Sequence, residues 1–262
     1  MNDQLLLESK ERKRLWRTLL LSVAAWVFLY SFVLAPLYTY TLSNVLFDAT
    51  PVPNIIHLFL NVLDVLSYSV CFSLIIYSIF KYSLRRTWGL LGIYCASILA
   101  KYLANFLITS LVDRIFDFSD IFYVLLYFVF DLIMLSLVCI FSCIFIGRFN
   151  ERKKMIEKSS RALGQPIPDL LLDQFSGKKI FVRENPLHRC ALSTAVVLSL
   201  TKLISRLLSD LYVGAPTSIA DLCWMIAYYL SDILIAVIAY AVALFVFNHL
   251  NSKNLKDKKE LL

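Results

Sequence analysis

The sequence predicts an all-α polytopic membrane protein: six transmembrane helices paired as three helical hairpins, with both termini on the cytoplasmic side. Three observations predict it. Of the 262 residues, 59% are hydrophobic and 17% charged, and the mean hydropathy is +0.71, which is more apolar than an ordinary soluble domain. The apolar residues gather into runs of about 18 or more, enough to cross a core of about 30 Å at about 1.5 Å per residue. The basic residues fall almost entirely in alternate connections, as positively charged loops do on the cytoplasmic face.

The spans read as residues 15–37, 54–80, 88–112, 120–147, 189–212 and 221–248. The first, preceded by a cytoplasmic N-terminus over 1–14, is longer than a signal-peptide core and lacks a small-residue cleavage site, so it is expected as a retained helix. Pro36 is expected to kink or end it near the outer surface. The fifth is the weakest, because Lys202, Arg206 and Asp210 interrupt it. Between the fourth and fifth lies the only long connection, a cytoplasmic loop over 149–187. Its opening NERKKMIEKSSRALG reads as a helical extension of span four that stops at Gly164. PDLLLDQF then reads as a short interfacial helix led by Pro168. A basic cytoplasmic tail follows at 249–262.

Of the 26 Lys and Arg residues, 22 lie in or at the edge of the N-terminus, the second connection, the fourth connection or the tail, three lie deep inside spans, and Arg114 alone falls on the other side. An even number of spans satisfies this distribution and five would not. The net charge of +7 therefore belongs to residues beside the membrane, where the expected partner is anionic lipid at the cytoplasmic face of the bilayer. No recognition fold for nucleic acid remains. A membrane-protein partner or a homo-oligomer is a further expectation. The lack of an Asn-x-Ser/Thr sequon points to a bacterial cytoplasmic membrane.

At an offset of 101 residues without a gap, Lys101 falls on Lys202, Asp120 on Asp221, Tyr127 on Tyr228, Asp131 on Asp232 and Asn150 on Asn251. Apolar matches mean little between membrane helices, so the rare polar ones carry the case for a duplicated hairpin. An offset of 67 adds the first hairpin, placing Asp64 on Asp131 and Lys81 on Arg148. The copies would all run in one direction, unlike inverted-repeat transporters.

Helical spacing sets the charges on common faces. His57, Asn61, Asp64 and Tyr68 share a stripe on span two, Lys101 and Asn105 on span three, and Lys202, Arg206 and Asp210 on span five. Tyr127 precedes Asp131 by one turn, as Tyr228 precedes Asp232. Asp131 lies about 25 Å along its helix from Arg148, at a depth similar to Lys101. Ionisable residues at that depth face the bundle interior and are paired. Identical spacings of 30 residues predict Lys101 with Asp131 and Lys202 with Asp232, leaving Arg206 to bridge to Asp64 or Asp210. His57, near the outer end, reads first as an interfacial residue.

Six cysteines fall in or at the ends of spans and read as packing residues, without a metal site. No hydrolase, P-loop, metalloprotease or cofactor motif is present. Three function classes remain open. In a transport or channel-type protein, Lys101, Lys202, Arg206, Asp64, Asp131 and Asp232 would line a pathway for a small solute or ion. In an accessory or structural subunit of a larger membrane complex, the same charges would fix helix packing. A membrane-embedded enzyme acting on a lipid-linked substrate would use Arg206 or His57.

Overall fold

In a computed structural model of the chain, residues 2–28, 52–113, 118–163, 185–213 and 219–259 are described, and they form six α-helices. These are α1 (Asn2–Phe28), α2 (Val52–Tyr82), α3 (Leu84–Asp113), α4 (Phe118–Leu163), α5 (Pro186–Val213) and α6 (Ile219–Lys259). Four are long and apolar enough to cross a membrane, over Val65–Tyr82, Val124–Ser160, Pro186–Ile204 and Met225–Asn251. The other two expected spans fare differently. Only residues 15–28 of the first are described, and the third is one continuous helix within α3 that carries Lys101 and Asn105 and is not among the four.

Each helix packs on its neighbour in sequence, α1 on α2, α3 on α4 and α5 on α6. α2 is the axis: it touches α1, α3, α4, α5 and α6, and packs more extensively on α6 than on α1. Around it, α1 neighbours α3, α3 neighbours α4, α4 neighbours α5, and α5 neighbours α6. The apolar stretch of α2 is 72% buried, against 33% for that of α4 or α6. A helix that is covered on every side can afford no polar face exposed to solvent, and small residues let its neighbours approach. Ser69, Cys71, Ser73 and Ser78 supply that narrowness, each at most 1% exposed. Two of the serines bond their own helix, Ser69 Oγ donating to the Val65 carbonyl at 2.7 Å and Ser73 Oγ to the Ser69 carbonyl at 2.6 Å, while Ser78 Oγ lies 3.2 Å from Thr87 Oγ1 of α3.

The exterior is apolar where a soluble protein would be polar. Phe122, Leu125, Val129, Ile133, Leu137, Ile140 and Ile144 form an exposed stripe along α4, and Leu192, Val196, Leu200, Ile204 and Leu207 form another along α5. The spacings of three and four residues are helical, so each stripe is one continuous face. Exposed apolar area on this scale marks a lipid or partner surface.

Three helices outrun the expected spans at the end of the bundle that holds the basic residues. α4 continues to Leu163, as the sequence predicts. α1 begins at Asn2 and α6 runs on to Lys259, through segments whose secondary structure the sequence reading leaves open. Lys, Arg, Glu and Leu fill these extensions, and all are good helix formers. At 46 residues, α4 is about 69 Å long, more than twice the bilayer core. Residues 164–184, with the expected interfacial helix, lie outside the described residues.

α2 and α3 meet at Ser83, whose φ of 81° lies in the left-handed region. Its N–H donates to the Ile79 carbonyl at 3.0 Å and its carbonyl accepts from Thr87 Oγ1 at 2.8 Å. This is a helix C-cap that favours glycine. Ser83→Gly is expected to raise the melting temperature slightly or leave it unchanged, whereas Ser83→Val is expected to lower stability by about 1–2 kcal/mol. Thermal unfolding in detergent by circular dichroism distinguishes the two.

Candidate functional site

The polar cluster of the bundle is built where α2, α3 and α4 converge. Asp131 on α4 is 6% exposed and Lys101 on α3 is 2% exposed. Tyr68 Oη of α2 and Tyr102 Oη of α3 both donate to Asp131 Oδ2, each at 2.7 Å. The Lys101 ammonium stands over the same two rings, 5.7 Å from the Tyr68 centroid and 5.1 Å from that of Tyr102. The two tyrosines thus present their hydroxyl ends to the anion and their π faces to the cation. A hydrogen bond to a charged group contributes about 1.5–3 kcal/mol, and a desolvated cation–π contact up to about 2.

Aromatic packing holds the tyrosines in place. Tyr68 is tilted against Phe72 at 5.9 Å, Phe72 against Tyr94 of α3 at 5.6 Å, and Tyr127 of α4 stacks on Tyr102 at 6.3 Å with 16° between planes. Tyr127 is half exposed and braces Tyr102 from outside.

The sister positions occupy α5 and α6. Asp232 is fully buried and Lys202 half-buried. Ser199, one turn before Lys202 on α5, donates its hydroxyl to the Asp232 backbone carbonyl at 3.0 Å, so this face of α5 meets α6 at that level. Tyr228 is half-buried and its carbonyl accepts from Ser231 Oγ at 2.7 Å. In this pair of helices Leu203 stands where α3 has Tyr102, and Ser199 where it has Ile98. The side chains of His57, Asn61, Asp64, Asn105, Arg206 and Asp210 lie outside the described part of the structure.

Two further polar contacts tie the basic end together. Tyr240 Oη of α6 lies 2.7 Å from His188 Nε2 of α5, with the rings edge to face, and Tyr77 Oη of α2 donates to Asn251 Oδ1 of α6 at 3.1 Å. Tyr102, His188 and Tyr240 carry no weight in the sequence reading. A signal existed for Tyr102: a tyrosine far from both ends of its span cannot serve as an interfacial anchor, so its hydroxyl needs a buried partner. Among the described residues, no group of three or more His, Cys, Asp or Glu side chains is arranged to hold a metal ion.

Fold and site define an all-helical protein whose apolar helices suggest a membrane location, with a buried cation–tyrosine–carboxylate cluster at its centre. Compared with known proteins, the chain matches no family model, and no curated protein or solved structure is similar to it.

Proposed function

We propose that the protein is a non-catalytic membrane subunit that spans the bilayer six times with both termini cytoplasmic, and that works as a structural or accessory component of a membrane complex. The observation that carries this reading is the closed composition of the central cluster. Asp131 receives two tyrosine hydroxyls, Lys101 rests on their rings, and both charged residues are at least nine-tenths covered. A cluster whose buried charges meet within the protein holds three helices together, whereas a pathway would open its charges to water. In lipid, helices gain nothing from the hydrophobic effect on meeting one another, so polar contacts and close packing supply the association. The alternation of basic connections supports the orientation.

The test combines stability with transport. Tyr68→Phe and Tyr102→Phe are each expected to destabilise the protein by about 1–3 kcal/mol, seen as a lower melting temperature in detergent, through loss of a hydrogen bond to Asp131. Proteoliposomes of the wild type, loaded with a pH-sensitive dye and given an imposed pH step, are expected to leak protons no faster than empty liposomes. Proton flux that Asp131→Asn abolishes while the melting temperature stays unchanged overturns the reading in favour of transport.

A further inference from the structure

We propose that the corner between α1 and α3 binds the phosphate of an anionic phospholipid headgroup, held by Arg12, Lys13 and Arg85 beside the Trp88 indole. The inference rests on the reading of the chain as membrane-spanning and names a lipid for it.

The site is set by one close contact. The six-membered ring of Trp16 on α1 lies against Gly89 of α3: a Cβ built on Gly89 would fall 2.6 Å from Trp16 Cζ2. From this contact α1 continues into the core through Leu19 and Val23, at 0% and 1% exposed, while α3 continues through Leu90, Tyr94 and Ile98, at most 1% exposed. Before it, Arg12, Lys13 and Arg85 are exposed, and burial that grows on the C-terminal side of the contact in both helices is the pattern of two helices running in the same direction. One turn back, at the edge of the bundle, parallel packing sets Arg12 and Lys13 of α1 level with Arg85 of α3. All three side chains are exposed.

The balance of charge in this corner is positive. α3 from Leu84 to Leu91 and the last turn of α2 contain no acidic residue, and Arg86 and Lys81 add to the field. On α1, Glu8 and Glu11 offset only part of the charge of Lys10, Arg12, Lys13, Arg14 and Arg17. Two guanidinium forks and an ammonium at one level of two neighbouring helices suit a phosphate, whose oxygens accept bidentate hydrogen bonds.

Depth identifies the phosphate as that of a lipid. The apolar stretch Val65–Tyr82 ends at the Ser83 corner, so Arg85 stands within one turn of the end of a membrane-crossing segment, where headgroups lie. Trp88 is 63% exposed and follows Arg85 by three residues, nearly one turn further towards the bilayer. An exposed indole at that level is the usual occupant of the headgroup boundary. A free phosphate would gain nothing from Trp88.

The experiment uses the full chain in detergent micelles, titrated with phosphatidylglycerol, phosphatidylcholine or inorganic phosphate and read by native mass spectrometry, beside the same protein reconstituted in nanodiscs. A saturable phosphatidylglycerol adduct is expected, with phosphatidylcholine and inorganic phosphate each binding at least tenfold more weakly. Each basic residue near an anionic lipid surface contributes about fivefold. Arg12→Gln/Lys13→Gln/Arg85→Gln should therefore weaken the adduct on the order of 100-fold, while Arg152→Gln/Lys154→Gln/Lys158→Gln on the α4 extension, which removes equal charge, should leave it within about fivefold. These side chains are exposed, and unchanged helicity checks that both variants fold. Equal loss in the two triple variants, loss in neither, or tight binding of inorganic phosphate overturns the site. Failure of the wild type to remain in the nanodisc bilayer overturns instead the membrane reading beneath it.

Discussion

Replacing Asp131 with alanine is expected to destabilise the bundle by about 3–5 kcal/mol, the largest effect of any single change in the central cluster. The Tyr68 and Tyr102 hydroxyls both lose the oxygen they donate to at 2.7 Å, and the Lys101 ammonium keeps its place on the rings without the carboxylate of its cluster. The cost lies in the partners left behind more than in the bond removed, since buried donors without acceptors lose their solvation for nothing. That argument has a sharper consequence. Removing cation and anion together, as Lys101→Met with Asp131→Leu, should cost less than Asp131→Ala alone, because apolar residues of similar volume relieve the desolvation of both charges. The swap Lys101→Asp with Asp131→Lys should recover part of the loss seen in each single change. Melting temperatures in one detergent decide both, with shifts on the order of 10 °C expected for Asp131→Ala. A swap no more stable than either single variant would show that the two charges do not act on one another.

The second large effect is expected at Gly89. Gly89→Leu puts a side chain where the Trp16 indole lies, 2.6 Å from Cζ2 at the Cβ alone, and Trp16 has to leave. Overpacking of this kind costs about 1–3 kcal/mol. The damage should be local, since Leu19 and Val23 further along α1 are buried and α1 packs on α2 as well as α3. Combining Gly89→Leu with Trp16→Ala tests the cause: the second substitution frees the space, so the double variant should be more stable than the sum of the two losses predicts. Strict additivity would mean that the glycine matters for some reason other than the ring upon it. Gly92, with nothing within 4 Å of its Cβ position, provides the control, and Gly92→Ala should be neutral or slightly stabilising.

Much of this architecture is legible in the sequence because membrane insertion is governed by the average apolarity of a segment, which any reader of the residues can sum. The helical reading of α4 through to Leu163, the burial of Lys101, Asp131 and Asp232, and the convergence of Lys101 and Asp131 on one cluster follow from run length and from rise per residue. The helical courses of α1 back to Asn2 and α6 on to Lys259 do not, because hydropathy reports where a segment leaves the membrane and says nothing of where its helix stops.

The candidate site is legible as a pair of charges and not as the cluster it is. Spacing along one helix places Tyr68 on a polar stripe but cannot say that its hydroxyl and that of Tyr102 meet on one carboxylate oxygen, since that requires the mutual rotation of three helices. The same holds for His188 with Tyr240, residues 52 positions apart.

By itself, the sequence determined that this chain is helical, apolar enough for a membrane, basic at one end and charged within. Tertiary structure alone decided that α2 is the axis, that its neighbours pack on it unequally, and that Trp16 seats on Gly89. The physical reason is that lipid tails and protein interiors are equally apolar to a side chain. A helix bound for the centre of the bundle and one bound for its rim can therefore read alike, and only the fit of small residues, rings and hydroxyls against particular neighbours tells them apart.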